Sequence, residues 1–272
     1  MALDRIVATS SRLETGDLDW EEARRAGLAR REGLALAYFA DIESQTVMYL
    51  RDLLRTDIAA DPEAVGFLSV WNYEEYFHGE ALAKFLDVCG HPLARDRVHE
   101  VRQRARALER VQGVLGSLAS RLLSHEFPAL YMVWGAAAEF TTLRGYEALE
   151  RQTKNPVLAE ICRRIAKQER RHFAWYFNSA RARLSLSPRA QKLTRFALTR
   201  FWAPVGAAVK GRGAFLELAD ALFPGESADA LAREVEERMG QLPGLGGLSF
   251  FTDYLARGEG VATARAPLHN VA

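Results

Sequence analysis

At 272 residues with 49% hydrophobic content, the chain has enough apolar side chains to bury a substantial core as one large domain. Lys plus Arg (36) almost cancel Asp plus Glu (35), which removes any global electrostatic case for nucleic acid or an anionic membrane as partner. Two cysteines, Cys89 and Cys162, can build neither a four-cysteine iron site nor a disulfide framework, and a reduced cytoplasmic setting is the default expectation.

Strand signals are scarce, and the dominant pattern is apolar residues at helical spacing, which predicts an all-α fold. The N-terminus lacks a basic patch followed by an apolar run, so no secretory signal is expected. A short charged helix is predicted near Asp19 to Arg30, followed by a long one from about Glu32 to Arg55. Asp61-Pro62-Glu63 reads as the start of a helix reaching Val88, where Gly90 and Pro92 end it. An Arg-rich helix is expected over about Arg95 to Leu123. Pro128 opens a fifth helix reaching about Arg151, and Asn155-Pro156 opens a sixth to about Leu184. Beyond it, Pro204, Gly206, Gly211, Gly213, Pro224 and Gly225 punctuate shorter helices over about 187–257, with a tail at 258–272. No stretch approaches the roughly 18 apolar residues of a membrane span; the nearest, Phe201 to Val209, reads as a buried turn in preference to a membrane-touching patch.

Two of the six histidines follow a glutamate by three residues: Glu75 and His78 on the third helix, Glu169 and His172 on the sixth. That spacing puts both side chains on one helix face. Each pair alone reads better as a solvated helix pair. The preceding helices add weight, because Glu43 interrupts an apolar stripe of Leu36, Phe39, Ala40, Val47 and Leu50. Glu139 likewise lies among Met132, Gly135, Ala136, Leu143 and Tyr146. An unpaired carboxylate on such a face is costly. Glu, Glu-x-x-His, Glu, Glu-x-x-His is thus an internal repeat, and each half suits a helix with an antiparallel return. Four carboxylates and two imidazoles form the ligand set of dinuclear carboxylate sites in bundles, where two divalent cations neutralise buried charge. Such oxygen-rich ligands favour iron or manganese over structural zinc: two Fe (Fe2+/Fe3+), with a Mn/Fe pair also compatible. On this reading Glu75 and Glu169 bridge, Glu43 and Glu139 bind at the ends, and His78 and His172 complete the two shells. The competing reading is a metal-free bundle whose buried acids are paired with Arg or Tyr.

Trp71-Asn72-Tyr73-Glu74-Glu75-Tyr76-Phe77-His78-Gly79 and Ile165-Ala166-Lys167-Gln168-Glu169-Arg170-Arg171-His172 resemble the iron-binding helices of the soluble acyl-carrier-protein desaturases, a ferritin-like diiron family. The resemblance implies a ferritin-like four-helix bundle over about 32–184 with additional N- and C-terminal helices. It also implies O2 chemistry on a fatty acyl chain held by an acyl-carrier protein, a ferredoxin-like electron donor and a homodimer. Thr142, three residues after Glu139, takes the place of a threonine that the family links to oxygen activation. Tyr76-Phe77 stands where the family has Asn-Arg, and Gln168 where it has Asp, differences that bear on electron delivery or partner docking. Two sister families fit less well: arylamine N-oxygenases carry a third histidine where Ile165 stands, and ribonucleotide reductase small subunits a radical tyrosine where Leu82 stands. Rubrerythrins need cysteines this chain lacks. The alternatives left open are a diiron oxygenase that hydroxylates or N-oxidises a small molecule, and a ferritin-like protein that binds iron or scavenges peroxide. Arg102, Arg104, Arg106 and Arg110 form a basic run that suits an acidic carrier or a solvated face. His91, His99, His125 and His269 lack a ligand context.

Overall fold

The computed structural model describes residues 3–94, 97, 126–223 and 228–257, and among them every regular element is helical. In chain order these are α1 (Leu3–Thr9), α2 (Trp20–Ala26), α3 (Arg30–Glu43), α4 (Thr46–Leu53), a 3-10 turn (Asp57–Ala60) and α5 (Pro62–Val88). After them come α6 (Phe127–Gln152), α7 (Pro156–Leu186), α8 (Pro188–Phe201), α9 (Ala207–Lys210), α10 (Arg212–Leu222), α11 (Ala228–Gly240) and α12 (Phe250–Ala256). The expected Arg95 to Leu123 helix, with its arginine run and His99, lies outside the described residues except Arg97, as do His125 and His269. His91 is described and exposed.

The long helices begin where capping chemistry places them. Asp61 accepts from the backbone N–H groups of Glu63 and Ala64, and Pro62 fills the first helical position, whose N–H has no helical partner. Asn155 caps α7 in the same way through Val157 and Leu158. Its amide also donates to the carbonyls of Ala23 and Gly27, fixing the end of α2 against the start of α7. The two ends therefore stabilise each other.

One expected helix is two. The apolar stripe from Leu36 to Leu50 predicts a continuous helix, yet α3 ends at Glu43 and α4 starts at Thr46. The Ser44 hydroxyl donates to the Asp41 carbonyl and the Thr46 hydroxyl to the Glu43 carbonyl, replacing the ladder there. Local side-chain bonds of this kind compete with helical ones. Glu43 consequently sits on the last turn of α3.

Four helices, α3, α5, α6 and α7, surround the centre. Glu74 meets His172 while His78 meets Gln168, so α5 and α7 run antiparallel. Tyr131 with Tyr176 and Glu147 with Arg170 show the same for α6 and α7, and α5 and α6 therefore point the same way. Close approach depends on small residues. A Cβ at Gly135 would stand 2.5 Å from the Tyr176 ring, and one at Gly79 would touch Glu43. Phe67, Phe85, Tyr146 and Tyr176 are fully buried, each contributing about 1.5–3 kcal/mol by leaving water.

The C-terminal helices cover this bundle, α10 packing on α3 and α11 on α6. Their centre is Trp202, whose ring lies 4.7 Å from that of Phe250 and 4.6 Å from that of Phe251. The segment from Phe201 to Val209 is thus a turn buried through Trp202 and Ala207, but Phe201 itself is on the surface. No helix among the described residues is long and apolar enough to cross a membrane.

Candidate metal centre

The helix packing brings all six glutamates and histidines singled out by the repeat to one buried place. Ligand atoms of Glu43, Glu75, His78 and Glu169 lie within 4.8 Å of one another, as do those of Glu75, Glu139, Glu169 and His172. The two groups share Glu75 and Glu169, while Glu43 and His78 belong to one and Glu139 and His172 to the other.

Both imidazoles are held from behind. His78 Nε2 lies 2.7 Å from Gln168 Oε1, and His172 Nε2 lies 2.6 Å from Glu74 Oε2. Each oxygen accepts the Nε2 proton and so turns Nδ1 inward, the outer-shell arrangement that orients a metal-binding histidine. The supports cross over: Glu74, beside Glu75 on α5, holds the α7 histidine, and Gln168, beside Glu169 on α7, holds the α5 histidine. Glu74 is anchored by Arg171 at 2.8 Å and the Ser11 N–H at 3.1 Å; the Gln168 amide donates to the Ser11 carbonyl at 2.9 Å. The outer carboxylates each receive one aromatic donor. Trp71 Nε1 donates to Glu139 Oε1 at 2.9 Å, and the Tyr146 hydroxyl to Glu43 Oε1 at 2.6 Å.

The inward-facing atoms lack such partners. His78 Nδ1, His172 Nδ1 and both oxygens of Glu169 are buried without a hydrogen bond, a condition that native proteins rarely leave uncompensated. His78 Nδ1 is 3.3 Å from Glu169 and 3.4 Å from Glu75, and His172 Nδ1 is 3.0 Å from Glu75, but none is aligned for a hydrogen bond. Lone pairs converging on a common space in this way fit cations placed between them.

The electrostatics carry the same strain. Burial, then the charges of Glu75 and Glu169, push the Glu43 carboxyl well above the usual range. Burial and the same two neighbours do so for Glu139. For Glu75, burial is outweighed by the hydrogen bond with Glu43 and by both histidines, which hold it well below. Burial opposes a charged His78, yet Glu75 and Glu169 push it up to about 10. Without cations, therefore, the centre must retain protons on some of its own ligand atoms.

Thr142 lines a cavity with Tyr38, Phe39, Ile42, Leu218 and Leu222, between α3, α6 and α10. The cavity measures about 20 Å³, room for about one water. Its neighbour Thr141 is occupied, donating to the Ala137 carbonyl. Glu74, Tyr146 and Tyr176 were not read as site residues from the sequence. The available signal was the doublet, Glu74-Glu75 and Gln168-Glu169, in which the polar residue before each shared glutamate turns toward the opposite helix.

A family model described as fatty acid desaturase matches residues 48–198. The match contains Glu75, His78, Glu139, Glu169 and His172, and Glu43 lies just before it. No curated protein and no solved structure matches the chain.

Proposed function

From the chain's place in the fatty acid desaturase family, to which it belongs by a match over more than half its length, we propose that this oxidoreductase is an O2-dependent, ferritin-like diiron enzyme. It acts on a fatty acyl chain presented by an acyl-carrier protein, with electrons from a ferredoxin-like donor. One observation carries the metal assignment: two overlapping four-residue groups share two glutamates, and their inward lone pairs have no hydrogen-bond partner. The parallel α5 and α6, each antiparallel to α7, also suit the ferritin-like order. A single domain, a homodimer and a cytoplasmic location belong to the same reading.

Glu43 and His78 would hold one ion and Glu139 and His172 the other, with Glu75 and Glu169 available to both. Iron held by these residues would supply the redox chemistry for O2-dependent oxidation of an unactivated C–H bond. The protein supplies geometry. Gln168 and Glu74 hold the Nε2 protons and keep each Nδ1 directed inward, while burial of Glu74 is outweighed by His172 and then Arg171, which hold its carboxyl below its usual range. Tyr146 and Trp71 each donate a hydrogen bond to one oxygen of an end carboxylate, favouring binding through the other. Phe39 stacks on Tyr146 and Phe67 packs against His172, excluding water from the ligands. Thr142, on the cavity beside α3, is the proposed group for proton delivery to oxygen.

A ferritin-like protein that handles iron or peroxide without an organic substrate is the second reading, favoured by the small size of the cavity beside Thr142. Iron content of protein from iron-supplemented cells, followed by optical spectra after the reduced form meets O2, tests the metal assignment. About two irons per chain are expected; none would overturn it. Product analysis with acyl-carrier and free acyl substrates then separates the readings, since the second requires that O2 or peroxide be consumed with every acyl chain unchanged.

A further inference from the structure

A line of oxidisable side chains leads from the centre to the surface. Trp71 on α5 donates its indole N–H to Glu139. Its ring lies 6.3 Å from that of Tyr176 on α7, Tyr176 lies 6.1 Å from Tyr131 on α6, and Tyr131 lies 5.7 Å from Tyr49 on α4. All three separations fall within the 4.5–7 Å range, about that of aromatic contact. Trp71, Tyr176 and Tyr131 are buried, whereas Tyr49 is 44% exposed.

Packing alone does not account for the chemistry of this line. The Tyr131 and Tyr176 hydroxyls are buried and face each other at 3.4 Å, a long contact that offsets little of the cost of taking two phenols out of water. Phenylalanine would fill the same space without that cost. Gly135, moreover, is where a methyl group would collide with the Tyr176 ring, so the backbone of α6 makes room for this side chain. Four helices each contribute one residue. What the line adds to a packed core is a set of rings that can each lose one electron.

We propose that Trp71, Tyr176, Tyr131 and Tyr49 form a conduit that carries an oxidising equivalent from the edge of the carboxylate–histidine centre to the surface. The inference rests on the reading of that centre as an O2-activating metal site, which supplies the one-electron oxidant. In the first step the oxidant gains one electron from the Trp71 indole, and the indole proton moves along its hydrogen bond to Glu139. The indolyl radical then regains an electron through Tyr176 and Tyr131, and its proton returns from Glu139. The two intermediate phenols end unchanged, the proton of whichever ring is oxidised moving along their shared contact and back. Tyr49 has lost one electron and, its hydroxyl being buried against Tyr131 while the ring is exposed, passes its phenolic proton inward to the carboxylate cluster, where it balances the electron the oxidant gained. A thiol in solution returns a hydrogen atom to Tyr49 and is itself oxidised, on coupling, to a disulfide. The direction is outward, because a low-potential electron donor has no need of side chains that only strong oxidants can ionise. The conduit protects the centre when O2 is activated with no substrate in place.

The test injects a hole from outside, so that it does not depend on bound iron. A ruthenium photosensitiser is attached to full-length protein carrying Tyr49→Cys in a Cys89→Ser background, with redox-inert Zn2+ present; Cys162 is buried. Flash-quench oxidation should produce a phenoxyl and then an indolyl radical, seen by transient absorption and EPR. Because the Trp175 ring lies 5.8 Å from Tyr176, the test is run in a Trp175→Phe background; there the indolyl signal should be lost in Trp71→Phe, Tyr131→Phe and Tyr176→Phe, whose folding is checked by circular dichroism. An indolyl signal that persists in Tyr131→Phe and Tyr176→Phe, or no radical beyond the label, overturns the conduit. The direction is tested in iron-supplied protein exposed to O2 and thiol without acyl substrate, with iron content and residue oxidation measured together. Tyr131→Phe should accumulate oxidised Trp71, and unchanged oxidation of Trp71 overturns the protective role. If no iron is bound, the metal reading fails, while the flash experiment still decides whether the rings are connected.

Discussion

Two buried glutamates stand in opposite conditions. Glu236, on α11, accepts from the backbone N–H groups of Phe251 and Thr252, both at 2.7 Å, and from the Thr252 hydroxyl at 2.8 Å. It closes the first turn of α12, where free N–H groups and the helix dipole favour a negative charge. Glu169, on α7, is more deeply buried and has no hydrogen bond at either oxygen. The C-terminal helices thus show how this chain satisfies a buried carboxylate when structure is the only demand. The bundle holds one whose oxygens no hydrogen bond reaches.

The sharpest way to break that comparison is to remove the shared ligands. Glu75→Ala with Glu169→Ala should reduce bound iron to background by elemental analysis, and the metal-free unfolding midpoint should hold or rise, because like charges are removed. Unchanged iron content would falsify the metal assignment and return the cluster to a set of paired acids. Next in size is Gln168→Ala, which frees the His78 Nε2 side. Metal affinity, measured by chelator competition, should fall about 10–100-fold with helicity unchanged. Glu236→Ala should do the reverse, costing about 1–3 kcal/mol in urea unfolding, the usual consequence of orphaning buried donors, with iron content unaltered. A fall in iron there would mean that the two regions are coupled.

The smallest effect belongs to a third kind of carboxylate, the exposed Asp17. Its hydrogen bonds with Arg164 lower it from the ordinary 3.8 to about 2. A folded value below the unfolded one stabilises the fold above about pH 4, and that contribution is lost as pH falls toward 2. Thermal melts across this acid range should show a slightly shallower decline for Asp17→Asn than for the parent, and equal slopes would place the pair among those that contribute nothing measurable.

How much of this was legible follows from where each signal resides. Helix starts at Pro62, Phe127-Pro128 and Asn155-Pro156 were readable because caps and N-terminal prolines act over three or four residues. The six residues of the centre were readable as a spacing repeat, for spacing alone sets which face a side chain takes. The break after Glu43 was not, since Val47 and Leu50 continue the apolar stripe and the deciding bonds of Ser44 and Thr46 are local side-chain choices. Helix α1 was missed as well: it is seven residues long and buries only Ile6. Tyr146 reads as part of the apolar stripe around Glu139, and only the packing of separate helices reveals that its hydroxyl meets Glu43. The hydrogen bond of Trp71 to Glu139 is a contact no single helix could predict.

The crossed supports of the two imidazoles have a mechanical side. Glu74 and Gln168 pin α5 to α7 at two points one helical turn apart, each helix holding the other's histidine. Sliding either helix along the other by a turn, about 5.4 Å, would pull both pins at once, so neither can slip while the other stays engaged. The pair works as a latch against shear, and any stretching or rocking of the bundle has to be taken up elsewhere along its length.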